Sequence, residues 1–147
     1  MQRIAKFERV TGYDTAKLPV RATSGSAGYD FFLNEDIALE PHEQTVIDTG
    51  IRARIDDGWF LMLCPRSGLG FKYAVRLANT VGIIDSDYYF SDNEGHIRVK
   101  LINGDKPIAL SKGTAFAQGI FVPFGITVDD QSTTIRNGGL GSTDGRK

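Results

Sequence analysis

The chain lacks most of what staples or metallates a small protein. It has one cysteine, Cys64, among 147 residues. No disulfide can form within it, and a reducing compartment is expected. Its two histidines, His42 and His96, stand apart from other ligand types, which argues against a histidine-rich metal site. Neither sign of charge dominates, because 17 Lys+Arg against 18 Asp+Glu leave a net charge of −1. Domains held to nucleic acid by phosphate neutralisation are usually strongly basic, so no direct nucleic-acid binding is expected. No apolar run approaches the ~20 residues of a membrane helix. Residues 1–7 show no apolar core before a cleavage site, so no signal peptide is expected. The expectation is one small cytoplasmic domain, large enough to bury roughly two-thirds of its unfolded surface.

Glycine is abundant. The 17 glycines are about 12% of the chain against ~7% on average, so many turns are expected. Between the turns the pattern is that of strands. Residues 96–101 alternate apolar with basic or imidazole side chains, which places His96 on a solvated strand face. Arg52 and Arg54 alternate with Ile51, Ala53 and Ile55 in the same way. Residues 59–64 are continuously apolar and suit a strand buried on both faces, with Cys64 a buried, inert thiol. Further strands are predicted over 43–47, 81–84 and 114–121, and one short helix over 67–73. Short strands at this spacing predict an all-β domain, a jelly-roll-like sandwich or barrel. Residues 131–147 contain only two aliphatic side chains, Ile135 and Leu140. They are expected to form a flexible arm after a body of residues 1–130.

Four segments carry candidate chemistry. Residues 25–31 place the carboxylate of Asp30 after a small-residue turn. Pro65-Arg66-Ser67-Gly68-Leu69 ends an apolar strand with a guanidinium and a hydroxyl, a set suited to phosphate oxygens. Taken alone, the segment is explained more simply by a helix-capping Ser67 beside a surface Arg66. Residues 79–88 end an apolar strand in Asp85-Ser86-Asp87-Tyr88. Asp-Ser-Asp alone reads as a solvated turn, yet Gly82 within the strand marks a close approach by a ligand or another part of the chain. Within the arm, residues 136–143 carry Arg136, three glycines and the hydroxyls of Ser142 and Thr143, a general phosphate-cradling composition without the Gly-Lys-Ser/Thr of a Walker loop. Together the four segments point to metal-assisted phosphate chemistry.

From about Lys17 onward the chain resembles the homotrimeric deoxyuridine triphosphatases (dUTPases). Five family motifs occur in order. They are Ala27-Gly28-Tyr29-Asp30, then Pro65-Arg66-Ser67-Gly68-Leu69, then residues 82–88 with Asn79 upstream. Gly113 through Gln118 and residues 138–143 follow. The resemblance implies a jelly-roll-like protomer with one short helix, a homotrimer, and active sites at subunit interfaces. The implied reaction is dUTP + water → dUMP + diphosphate with Mg²⁺, which keeps uracil out of DNA and supplies dUMP for thymidylate synthesis. Carried over residue by residue, Asp85 orients and deprotonates the attacking water, and Asp30 holds the waters of the metal. Arg66, Ser67 and Gly68 grip phosphates, and Gln118 contacts the α-phosphate. Asn79 and the backbone at Gly82 pair with the uracil edge, and Tyr88 packs on the deoxyribose. Arg136, Ser142 and Thr143 close over the phosphates.

The chain departs from the family pattern at several points. Leu140 stands where an aromatic side chain usually covers uracil, and Arg136 is nearer the glycine pair than usual. Thr114-Ala115 replaces an Asp-Arg pair, and residues 89–95 read as a longer hairpin loop. Two further readings are a dCTP deaminase of the same fold and a non-catalytic nucleotide-binding regulatory protein.

Overall fold

A computed structural model describes residues 1–138. Twelve strands run β1 (Ala5–Arg9), β2 (Val20–Arg21), β3 (Tyr29–Phe32), β4 (Ile37–Leu39), β5 (Gln44–Asp48), β6 (Ile51–Ile55), β7 (Trp59–Pro65), β8 (Arg76–Leu77), β9 (Gly82–Ile84), β10 (Arg98–Ile102), β11 (Ile108–Leu110) and β12 (Ala115–Pro123). One α-helix, α1 (Ser67–Tyr73), and one 3-10 helix (Ser86–Phe90) interrupt them. The architecture is the expected all-β, jelly-roll-like sandwich with one short helix. It does not close into a barrel.

The largest sheet has the order β2-β3-β12-β7-β9, and smaller sheets pair β1 with β6, β4 with β11, and β10 with both β5 and β8. Every strand pair is antiparallel, so period-2 alternation sends one face of each strand inward. Phe31, Leu61, Leu63 and Phe116 from the large sheet meet Ile51, Ile97, Val99 and Leu101 from the opposite layer. The one fully buried amide, Asn103, donates through Nδ2 to the carbonyls of Leu39, Glu40 and Lys106. Its desolvation cost is thus met by hydrogen bonds that pin the turn between β10 and β11.

Three expectations change. In β7 only Leu61 and Leu63 are buried, while Trp59, Phe60, Met62 and Cys64 are half-buried. One face of this strand therefore enters the core and the other looks outward from the chain. His96 precedes β10 and is not on a solvated strand face. Its Nε2 accepts from the Gly50 N–H at 2.9 Å, and its ring packs edge-on against Tyr13. The segment expected as a hairpin loop begins inside the 3-10 helix, because Tyr88 N and Ser91 N donate back to Asp85 O and Tyr88 O. Among the described residues no helix is long and apolar enough to cross a membrane.

Candidate active site

The expected site residues gather in two groups on the large sheet. The first stands on β3, β12 and the end of β7. Register places Gln118 opposite Asp30 on one side and opposite Cys64 on the other. Phe31 points into the core, so its neighbour Asp30 takes the other face. Gln118 Nε2 donates to Pro65 O at 3.3 Å. Arg66 turns back so that its Nε lies 3.2 Å from Asp30 Oδ1. The result is a guanidinium, a carboxylate and an amide side by side at one end of three adjacent strands.

Ser67 and Gly68 are exposed in the first turn of α1. Ser67 is not a helix cap. Arg66 holds the cap position, with φ −71° and ψ 141° and no side-chain capping bond. The Leu69 and Gly70 N–H groups donate to its carbonyl. The Ser67 hydroxyl is therefore left for a ligand or solvent.

The second group follows the tight turn between β8 and β9, closed by a lone Leu77–Thr80 bridge as the chain passes from one sheet to the other. Asn79 is exposed in this turn, where the Val81 N–H donates to Asn79 O at 2.7 Å. Gly82 is buried against β7, and a Cβ there would lie 3.1 Å from Leu63 Cβ. The close approach inferred at this glycine is thus made by a neighbouring side chain. β9 is the last strand of its sheet, so its outer edge faces no further strand of that sheet. Asp85 comes next, extended at φ −75° and ψ 156°, and starts the 3-10 helix. Tyr88 on that helix is only 7% exposed.

The arm joins this second group. Arg136 donates through Nη2 to Asp85 Oδ2 at 2.6 Å and through Nε to Asp87 Oδ1 at 2.8 Å. The two carboxylate side chains are about half exposed, while the arginine is mostly covered. Ser91 Oγ donates to Gly138 O at 3.2 Å. The sequence reading missed this use of Asp87 and Ser91, because nothing local to them signals a partner about fifty residues away. Leu140, Ser142 and Thr143 lie outside the described residues.

The two groups do not meet within one chain. Pairing of Leu61 with Ile84 sets Asp85 level with Phe60, whereas Gln118 and Asp30 are level with Cys64. That is about 13 Å along β7, and the path from β9 to β3 crosses three strand spacings of about 4.8 Å each. Cys64, between them, is half-buried, and burial pushes its thiol pKa up. It is therefore a poor nucleophile.

A jelly-roll protomer that displays a guanidinium, a carboxylate and an amide on one set of strand ends, and a paired-aspartate turn on another, has the make-up of a nucleotide-phosphate hydrolase. The comparisons narrow the class. The family model for dUTPase matches residues 14–144. The deoxyuridine 5'-triphosphate nucleotidohydrolase of Lactococcus lactis is 40% identical over 96% of this chain and 98% of its own length. The crystal structure of dUTPase from Streptococcus mutans is 37% identical, with TM-score 0.74, over 82% of this chain and 97% of that one. A variant dUTPase from phage phi11 of S. aureus is 21% identical, with TM-score 0.69, over 90% of this chain and 98% of that one. Its structure describes the coordination of a structural Mg(II) ion. At that identity the likeness speaks for the fold. The chain belongs to the dUTPase family, and its activity is that of a dUTP diphosphatase.

Proposed function

We propose that the chain hydrolyses dUTP to dUMP and diphosphate at sites completed between the subunits of a homotrimer, with Asp85 as the base that activates the attacking water. The observation that carries this reading is the Asp85 carboxylate itself. It stands at the end of an apolar strand, half exposed, where it can reach both solvent and an incoming phosphate. A carboxylate placed to hold and deprotonate a water within hydrogen-bond reach of the α-phosphorus acts as a general base. Arg136 already lies on it. Both carboxylates of its pairs with Asp85 and Asp87 are about half in solvent, although the arginine is mostly covered, and water screens the attraction. The guanidinium can therefore exchange from Asp85 and Asp87 to the phosphates of a bound triphosphate, which leaves Asp85 to the water. Arg136, Leu140, Ser142 and Thr143 belong to an arm of residues 131–147 that closes the site over a body of residues 1–130, with Leu140 over the uracil face.

The separation of the two groups supports the trimer. Arg66, Ser67, Gly68 and Gln118 of one chain grip phosphates, and Asn79, Gly82, Asp85 and Tyr88 of a neighbour supply the base edge, the water and the sugar contact. The half-exposed outer face of β7 suits the same contact between chains. Asn79 in the turn before β9 and the outer backbone edge of β9 can pair with uracil as a partner base would. Such a site rejects bases with a different edge, because mismatched polar groups are left buried.

Among the described residues no three His, Cys, Asp or Glu side chains converge as a metal cage. The single carboxylate of Asp30 beside the Arg66 guanidinium fits Mg²⁺, which keeps its waters and is bound through one or two carboxylates and the substrate's phosphates. Asp30 would hold its waters, and Arg66 beside it would share the phosphate charge. Bound there, Mg²⁺ supplies charge neutralisation on the triphosphate. The setting is the cytoplasm, and the product serves thymidylate synthesis while uracil is kept out of DNA.

Asp85→Asn tests the reading. Single-turnover hydrolysis should fall by about 10²–10⁴, while a non-hydrolysable dUTP analogue still binds. A loss below tenfold would remove Asp85 from the role of base.

A further inference from the structure

Residues 89–95, longer here than in the family pattern, have no part in the mechanism above, yet they grip one of its residues. The Tyr88 hydroxyl donates to His96 O at 2.6 Å and accepts from Asn93 Nδ2 at 2.9 Å. The other end of the same amide accepts from the Gly95 N–H at 3.1 Å. Asn93 thus spends both ends of its side chain on closing a ring from the phenol to the backbone just before His96. Gly95 makes the ring possible. Its φ is +70°, and a Cβ there would lie 2.6 Å from Tyr89 Cα and 2.7 Å from Tyr88 O. The ring is anchored from outside as well. His96 is held by Gly50, and Glu94 accepts from the Thr11 hydroxyl at 2.9 Å. The Tyr89 hydroxyl donates to Glu8 at 2.7 Å, and the Arg52 guanidinium lies 3.6 Å over the Tyr89 ring.

We propose that Asn93 is a positioning residue for Tyr88: it fixes the phenol so that the ring stands at one depth, and that depth is what excludes a 2′-hydroxyl from the sugar position. The proposal rests on the assignment of Tyr88 to the deoxyribose. A ring that rejects a substrate by one oxygen atom has to be held within a fraction of an ångström, and a shell of locked side chains provides this. One hydrogen bond to the phenol oxygen leaves it free to swing, and a second one to the same oxygen restrains that motion. Asn93 is not among the residues assigned to the base or the phosphates, and among the described residues its side chain bonds only Tyr88 and Gly95, so its loss should act on substrate selection and not on the chemical step.

The test is a double-mutant cycle on discrimination, read as kcat/KM for dUTP over kcat/KM for UTP. Asn93→Leu keeps the side chain's size and removes both polar ends. It should raise KM for dUTP, change kcat by less than about threefold, and lower discrimination by about tenfold or more. Tyr88→Phe removes the atom that Asn93 holds, so adding Asn93→Leu to the Tyr88→Phe background should lower discrimination no further. Equal losses in both backgrounds, or a fall in kcat alone, would overturn the proposal. If Asn93→Leu does not fold, Asn93→Asp carries the same cycle. It keeps the acceptor for Gly95 and places a carboxylate where the phenol oxygen needs a donor. Tyr88→Leu separates the two ideas. Unchanged discrimination there overturns the assignment of Tyr88 to the sugar and the proposal with it. A large loss there, with none from Asn93→Leu or Asn93→Asp, overturns the role of Asn93 alone.

Discussion

Asp30, Arg66 and Gln118 stand on or beside three hydrogen-bonded strands, whereas Asp85, Asp87 and Arg136 stand on a turn and on a segment outside every strand. The first group is built by register. Once β3, β7 and β12 pair, Asp30 and Gln118 have no choice of neighbour, because a one-residue slip would turn Phe31 and Phe116 out of the core. The second group is built by charge. Its two carboxylates converge on one guanidinium with about half of each side chain in solvent, where ion pairs are weak and screened by salt. A phosphate grip benefits from a rigid frame, and a base that must be uncovered for catalysis benefits from a partner that leaves easily. On the proposed function, the difference between the groups is that between a preformed and an exchangeable half-site.

Mixing two inactive variants breaks the comparison most sharply. Asp85→Asn and Arg66→Ala each remove one half-site. If the halves come from different subunits, exchange of chains in a mixed trimer rebuilds whole sites. At equal amounts about one quarter of the sites should be intact, since each needs two particular chains at even odds. Steady-state diphosphate release by mixed and reannealed variants should rise from background to that fraction of wild type. Activity no greater than the sum of the two variants alone would place both halves in one chain.

Deletion of residues after Asp130 separates the halves in another way. Among the described residues, all the buried apolar side chains lie between Val10 and Ala117, so the strand-built group and the core should persist. The truncated protein should keep its thermal transition and its oligomeric state. It loses Arg136 and the closing hydroxyls, and turnover of dUTP should fall by roughly 10²-fold, as for other losses of positioning and closure. Raising the salt concentration should weaken the Arg136 contacts of the full chain and leave the Gln118 bond to Pro65 unaffected. Unchanged hydrolysis by the truncated chain would make the arm a passive tail.

The same division governs what could be read in advance. Strands β6 and β10 were legible from period-2 alternation, and β7 and β12 of the first group from apolar runs bounded by turn residues, all of them local signals. The helix over 67–73 was legible because Pro-Arg-Ser-Gly breaks the strand pattern where β7 ends. The outward face of β7 was misjudged, since a continuous apolar run does not say which of its faces another subunit or the core covers. The capping of α1 fell one residue early, because Ser67 is already helical and only backbone angles distinguish the two positions. The contacts of Arg136, Ser91 and Asn93 were illegible for a different reason. Each joins segments through side chains whose partners no spacing rule specifies. His96 belongs with these. Alternation placed it on a strand, but its acceptor role depends on a Gly50 N–H that comes from a turn 46 residues earlier.

That histidine carries the smallest expected effect and the one that links the two groups to pH. Its carbonyl holds the Tyr88 phenol, and its Nε2 accepts a backbone N–H, so the ring has to be neutral. Burial pushes its pKa below the ordinary histidine range. Asp48 and Glu94 pull it back up, and Arg98, paired with Asp48, pushes it down. Above about pH 6.5, the unfolded value, the ring is neutral in both states and adds no pH dependence. As the pH falls through that value the unfolded chain takes up a proton that the folded chain resists. The unfolded state then binds more protons, so stability falls with falling pH until the folded pKa is passed. Free carboxylates titrate near 4, which leaves the interval from about pH 7 to 5.5 to this residue. Thermal melting of the wild type should drop as the pH falls through that interval. His96→Gln, whose amide oxygen can still accept from Gly50, should melt lower at pH 7.5 and lose less on acidification, so that the two curves converge. Parallel curves for wild type and variant would show that His96 does not sense pH, and that the Tyr88 anchor is indifferent to it.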